Sequence, residues 1–156
     1  MAKSRIRKLR ESFLYAGRGL RLCITGERNF RVHMTAAFYV TAAAVMGRVT
    51  STEAAVLCLC FGLTMGAELM NTALERLCDK TARGYDSMVR DAKDIAAAAV
   101  FVCAAACAAV GVCVFLAHGA LFAALRFLAA RLWLAMIFVV TVPVAVWFVF
   151  FFGRRQ

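Results

Sequence analysis

Hydrophobic and polar residues form long blocks along this chain, not the short alternation of a β-strand. Four apolar runs lie between Arg31 and Arg48, from Ala54 to Glu68, from Ile95 to about Leu125, and from Leu132 to Gly153. A helix needs about 20 residues to cross a hydrocarbon core of about 30 Å. The last two runs are long enough, whereas the first two hold only 16 and 14 residues between charges. We expect these two to cross a membrane with their charged ends at its surface.

A different pattern precedes the first run, within residues 4–24. Apolar residues recur there at helical spacing, so that they share one narrow arc of a helix. They are Ile6, Leu9, Phe13, Leu20 and Ile24. Arginines lie to one side of this arc. The pattern predicts a basic amphipathic helix that lies on the membrane surface.

Composition narrows the class of protein. The chain has 156 residues, of which 63% are apolar and one is proline, whereas a soluble domain is about 45–50% apolar. A soluble enzyme, a secreted disulfide scaffold and a disordered protein are therefore excluded. We predict an all-α membrane protein with an N-terminal surface helix and four transmembrane helices. The seven cysteines lie mostly in apolar runs, as is typical of small buried residues.

The distribution of positive charge along the chain predicts its orientation in the membrane. Of the 19 Lys and Arg residues, 16 lie in residues 3–31, 76–93 and 154–155. With four spans, the N-terminus, a loop at 72–93 and the C-terminus, which contain these cations, share one side of the membrane, which the positive-inside rule makes cytoplasmic. Both termini are thus expected in the cytoplasm. Clusters that flank apolar runs indicate membrane topology, so no nucleic-acid partner is expected.

Four polar residues mark the end of the second run. Glu68, Asn71, Glu75 and Asp79 fall within about 80° of one helix face. We call these four residues the acidic stripe. Because like charges on one face repel, something must compensate for them. A Mg²⁺ ion is one candidate, since it prefers oxygen ligands. A solvated helix end, neutralised by nearby cations of the 76–83 segment, is the equally weighted alternative.

Two smaller charged groups lie elsewhere in the chain. Lys93 and Asp94 directly precede the third run, where they could bind phosphate and a metal or simply form a capped helix start. Glu27 lies among basic residues before the first run, where an ordinary ion pair is the simpler interpretation. His33 is better explained as an interfacial residue than as a ligand. The chain contains no phosphate-binding glycine motif of the soluble nucleotide-binding folds.

Together these segments resemble the prokaryotic diacylglycerol kinase/undecaprenol kinase family. Residues 68–79 read ELMNTALERLCD, residues 92–100 read AKDIAAAAV, and residues 26–33 read GERNFRVH, which is most like the undecaprenol-kinase branch. The resemblance covers residues 4 to about 118. It implies a lipid kinase domain at 1–118, with the family's three transmembrane helices, and an appended transmembrane segment at 119–156.

The resemblance also implies how such a protein works. The family consists of homotrimeric kinases of the bacterial cell membrane, whose active sites are shared between subunits at the cytoplasmic surface. They use ATP and Mg²⁺ to phosphorylate a lipid alcohol, either undecaprenol or diacylglycerol. The GERNFRVH segment favours undecaprenol here.

Individual roles follow position by position from the resemblance. Glu68 matches the general base, and Asn71 is the motif amide beside it. Glu27 and Glu75 match acids that bind the metal and, through it, the nucleotide. The remaining matched positions are the nucleotide-binding Lys93 and Asp94, the further nucleotide contacts Tyr15, Gly84, Tyr85 and Asp86, and Asp79 as a supporting residue. Asp86 departs from the family, which often has His there.

The motifs leave open a non-catalytic role and the role of the 119–156 segment. A non-catalytic membrane protein, such as a divalent-cation carrier or a degenerate subunit, would use the same acidic stripe without turnover. The intact acidic and Lys93-Asp94 positions argue against that alternative. Because the matched motifs end by Val100, we expect the 119–156 segment to be dispensable for activity.

Overall fold

The structure is a computed structural model that describes residues 2–81, 84–117 and 119–153, with side chains described from residue 6 onward. These residues form helices joined by short turns, without a β-strand. The helices are α1 (Ala2–Gly26), α2 (Arg28–Gly47), α3 (Ser51–Thr81), α4 (Ser87–Ala117), α5 (Ala120–Ala129) and α6 (Leu132–Phe150). The predicted all-α class is confirmed. Some cations behind the orientation argument lie outside the described residues or side chains, namely Lys3, Arg5, Arg83, Arg154 and Arg155.

The predicted amphipathic segment is helical over its whole length. α1 contains 25 residues, and its apolar residues Ile6, Leu9 and Phe13 are exposed. Glu27 then adopts an extended backbone, with φ −102° and ψ 116°, before α2 begins at Arg28. We call residues 24–31, which contain this sharp change of direction, the elbow.

Among the described residues, three helices are long and apolar enough to cross a membrane, namely α3, α4 and α6. α2 has 20 residues, but its first two turns contain Arg28, Arg31 and His33, which lower its hydropathy. α2 therefore remains a predicted span. α3 and α4 contain 31 residues each, or about 46 Å at the helical rise. Both helices thus extend well beyond a hydrocarbon core.

The structure corrects two boundaries. Most of the predicted loop at 72–93 is helical, because α3 continues to Thr81 and α4 begins at Ser87. The third apolar run does not form one continuous helix to Leu125. It breaks at Gly119, where φ is +68°, a left-handed conformation that glycine adopts without steric penalty. This break lets α5 turn back onto α2.

α2 is central to the bundle, since it packs against α3, α5 and α6. Ala44, Leu57 and Val114 form a small core between α2, α3 and α4. On the other side of α2, the Tyr39 hydroxyl lies 3.1 Å from that of Thr141, on α6. α3 and α4 run antiparallel, which places the end of α3 beside the start of α4. The C-terminal ends of α1, α3 and α6 and the N-terminal ends of α2 and α4 thereby meet at one end of the bundle.

Candidate functional site

The acidic stripe of α3 contains an internal hydrogen bond. Asn71 Nδ2 donates to Glu75 Oε1 at 2.9 Å, one helical turn away. Asn71 is buried, and its Oδ1 has no hydrogen-bond partner among the described residues. A buried amide oxygen without a partner costs free energy, which makes this atom available to a ligand.

Glu68 lies at the junction of three helices. The residue is only 2% exposed, and the Asn29 side chain, from the first turn of α2, lies close enough to interact with its carboxylate. The carboxylates of Glu27 and Glu75 lie near enough to act on it electrostatically. Glu68, which ends the second apolar run, is therefore enclosed by protein and lies close to two other acids of the site.

An ion pair joins the elbow to α3. Arg76 Nη2 lies 3.6 Å from Glu27 Oε1, and both side chains are partly exposed. It brings an acid from the elbow beside the acids of α3. We call Glu27, Glu68, Asn71, Glu75 and Arg76 the site cluster.

A second ion pair joins α3 to α4. The Lys93 ammonium contacts Asp79 Oδ1, and Glu75 lies within electrostatic range of the same ammonium. Lys93 thus adds a cation next to the site cluster, held by the residue predicted to support it. Asp94, at the following position of α4, is exposed and takes part in neither ion pair.

The other predicted residues, on α1 and in the turn before α4, are exposed in the single chain. Tyr15 is 70% exposed on α1, and Tyr85 is 83% exposed in the turn before α4; Gly84 is exposed in the same turn. Asp86 has a local function, since its carboxylate accepts a hydrogen bond from the Met88 amide at 2.8 Å. This contact caps the N-terminus of α4. The nucleotide roles of these residues stay predictions.

Sequence reasoning missed several contacts of the cluster. Cys23 is buried beside the Thr72 hydroxyl, and burial raises the pKa of its thiol above the ordinary value. Thr72 Oγ1 in turn donates to the Glu68 carbonyl at 3.0 Å. Of the residues that contact the cluster, only Asn29 could have been found from the sequence, because it belongs to the GERNFRVH segment. Nothing in the sequence pairs Cys23 with Thr72, because they meet only when α1 packs on α3.

An apolar cavity lies beside the site cluster, toward the middle of the bundle. It has a volume of about 600 Å³ between α2, α3, α4 and α5, and its walls include His33, Thr64, Met65 and Cys107. Thr64 lies one helical turn before Glu68. The cavity thus extends from the middle of the bundle toward the buried carboxylate.

Comparisons with known proteins agree with the motif. The family model described as "Prokaryotic diacylglycerol kinase" matches residues 14–115. The chain is 40% identical to a "Diacylglycerol kinase" of Synechocystis sp. over 106 residues, which is 67% of this chain and 61% of that relative. It is 32% identical to an "Undecaprenol kinase" of Bacillus subtilis over 114 residues, 73% of this chain and 93% of the relative. No solved structure matches the chain. The matched range contains every predicted site residue and excludes α5 and α6.

Proposed function

Because the chain belongs to the prokaryotic diacylglycerol kinase family, we propose that it transfers the γ-phosphoryl group of ATP to the hydroxyl of a membrane lipid. The predicted family is confirmed by this membership. The observation that carries the proposal is the convergence of Glu27, Glu68 and Glu75 at one end of an apolar bundle, beside Lys93. The acids come from two distant segments of the sequence.

The donor atoms of the site cluster fit Mg²⁺. Glu27 and Glu75 supply carboxylate oxygens, and Asn71 Oδ1 is a buried oxygen without a protein partner. No group of three or more acids, histidines or cysteines capable of holding a metal occurs in the described part of the chain. Mg²⁺ is usually held by one or two carboxylates together with substrate phosphates, so two acids suffice. When bound with ATP, the ion would neutralise phosphate charge.

The chain's own residues then perform the remaining steps. The lipid oxygen attacks the γ-phosphorus, and the bond from that phosphorus to the ADP oxygen breaks. Glu68 accepts the proton of the lipid hydroxyl, and Lys93 balances charge on the phosphates. The hydroxyl reaches Glu68 from the side of the cavity, since Thr64 on the cavity wall lies one turn away.

The lipid is undecaprenol or diacylglycerol, as the two relatives' names suggest for those proteins. We favour undecaprenol because the GERNFRVH segment, which includes Glu27 and Asn29, resembles that branch. A mostly apolar cavity accepts the chain of either lipid, so it does not discriminate between them.

Assembly and orientation belong to the same proposal. Tyr15 and Tyr85 are largely exposed in the single chain, so both are accessible to a neighbouring subunit, as shared sites in a homotrimer would require. We place the site, and both termini, on the cytoplasmic side of the bacterial cell membrane, where ATP is available. The N-terminal basic residues support this orientation.

A phosphoryl-transfer assay tests the proposal and separates it from a non-catalytic role. Detergent-purified protein is incubated with Mg²⁺ and radiolabelled ATP, and either undecaprenol or diacylglycerol is added. We expect labelled lipid phosphate, with higher kcat/KM for undecaprenol, and none from Glu75→Gln. Absence of product with both lipids, from folded protein, would favour the cation-carrier alternative. Preference for diacylglycerol would reassign the substrate only.

A further inference from the structure

Arg31 is a buried cation near the site cluster. Its side chain is enclosed, since the residue is 4% exposed, and its guanidinium donates to three backbone carbonyls. The Nε donates to the Val149 carbonyl at 3.2 Å. Nη1 donates to those of Ile24 at 3.0 Å and Thr25 at 3.3 Å. A buried charge is tolerated when such hydrogen bonds replace water.

These carbonyls belong to the last turns of two helices. Ile24 and Thr25 lie just before the end of α1, and Val149 lies just before the end of α6. The last four carbonyls of a helix have no partner within it and carry the negative end of the helix dipole. The forked guanidinium of Arg31 therefore caps two helix ends at once.

A second contact joins the same two helix ends. Gly153 has φ +80°, and a Cβ added there would lie 2.0 Å from the Thr25 carbonyl oxygen. Backbone following α6 thus lies directly against backbone at the end of α1. No side chain fits between them, so this contact requires glycine for both conformation and space.

We propose that α6 is a positioning element for the active site: through Arg31 and Gly153, its C-terminal end fixes the elbow. The elbow holds Glu27 against Arg76 at 3.6 Å and brings Asn29 to Glu68. Arg31 lies in the family-matched range, whereas Val149 and Gly153 lie beyond it. The proposal replaces our expectation that the 119–156 segment is dispensable. Its kinetic consequences rest on the proposed kinase function.

Gly153→Ala tests the contact without altering Arg31. Hydrogen-exchange mass spectrometry on the detergent-purified full chain measures amide protection in the elbow. We expect exchange there to accelerate about ten-fold, because displacement of the α6 end would also weaken the hydrogen bond through which Arg31 caps it. The matched control is Gly119→Ala, which imposes the same left-handed strain at φ +68° in open space. It should leave elbow exchange unchanged.

Kinetics distinguish positioning from simple instability. If the elbow positions Glu27, Gly153→Ala should raise the KM for ATP roughly three- to ten-fold, with the KM for lipid unchanged. A merely structural role would lower the amount of active enzyme and leave both KM values at the wild-type level. That result, with unchanged elbow exchange, would overturn the proposal.

A double-mutant comparison tests whether Arg31 and α6 act together. Arg31→Met should raise the KM for ATP, and adding Gly153→Ala should increase it little further, because both remove one docking contact. If only Arg31→Met has an effect, Arg31 acts on the nucleotide directly and α6 has no positioning role. Hydrogen exchange remains decisive even if no lipid is phosphorylated, so failure of the kinase proposal is distinguishable from failure of this one.

Discussion

The family-matched segment, residues 14–115, and the appended segment, residues 119–156, contribute to the site in different ways. The matched segment supplies all the carboxylates of the site cluster, whereas the appended segment contains no acidic residue. Yet the described part of the appended segment ends against the elbow, through the Val149 carbonyl and Gly153. The comparison shows that a segment without acidic side chains can still contact the neighbourhood of the candidate site through its backbone.

The appended segment itself has two contacts of different kinds. At the site end, α6 meets the elbow. At the opposite end, α5 meets α2 so closely that a Cβ added to Gly47 would lie 2.6 Å from the Ala120 carbonyl oxygen. We expect the first contact to affect catalysis and the second to affect stability, because only the first touches residues adjacent to the site cluster.

The largest effect is expected from Glu75→Gln, in the matched segment. The substitution keeps the shape and the hydrogen bond from Asn71 but removes a charge that would hold Mg²⁺. We expect kcat to fall by about 10³-fold or more, with an unchanged melting temperature. The measurement is initial rate at saturating ATP and lipid. Activity within a few-fold of wild type would contradict the metal role.

Glu68→Gln should have the next largest effect. Removal of the proposed proton acceptor should lower kcat at least about 10²-fold, the lower limit for general-base catalysis, while ATP affinity stays constant. Steady-state kinetics with varied ATP separate these quantities. A raised KM for ATP at constant kcat would assign Glu68 to nucleotide binding instead.

Asp79→Asn should have a smaller effect, because it weakens the position of Lys93 without removing its charge. The pair is partly exposed, and exposed ion pairs contribute little free energy, so we expect the KM for ATP to rise only about two- to five-fold. Asp91→Asn is a suitable control, since Asp91 pairs with Arg90 on the same helix. Equal effects of the two substitutions would mean that Asp79 has no specific role.

The smallest effect on activity is expected from Gly47→Ala. The added methyl group must displace α5, which should cost about 1–3 kcal/mol of stability and lower the melting temperature. The KM for ATP should stay at the wild-type value, unlike in Gly153→Ala. Gly62→Ala, which meets no atom within 4 Å, provides the control. A raised KM in Gly47→Ala would show that the two ends of the appended segment are not independent.

Much of the candidate site's arrangement was predictable from sequence because two of the three carboxylates of the site cluster lie on one helix. The spacing of Glu68, Asn71, Glu75 and Asp79 places them on one face of α3, whatever the rest of the fold does. The family motif then added Glu27 and Lys93. Loop boundaries were less accurate, since charged residues at 72–93 look like a loop although helix continues through most of them.

The amino-acid sequence by itself determined the all-α class, the apolar helices and the identity of the acids, because hydropathy and helical periodicity are local properties of the chain. Only the tertiary structure decided what surrounds those acids. Arg31 and Val149 are 118 residues apart, and a backbone carbonyl has no sequence signature by which to recognise it. The docking of α6 on the elbow therefore emerges only when α2 brings the ends of α1 and α6 together.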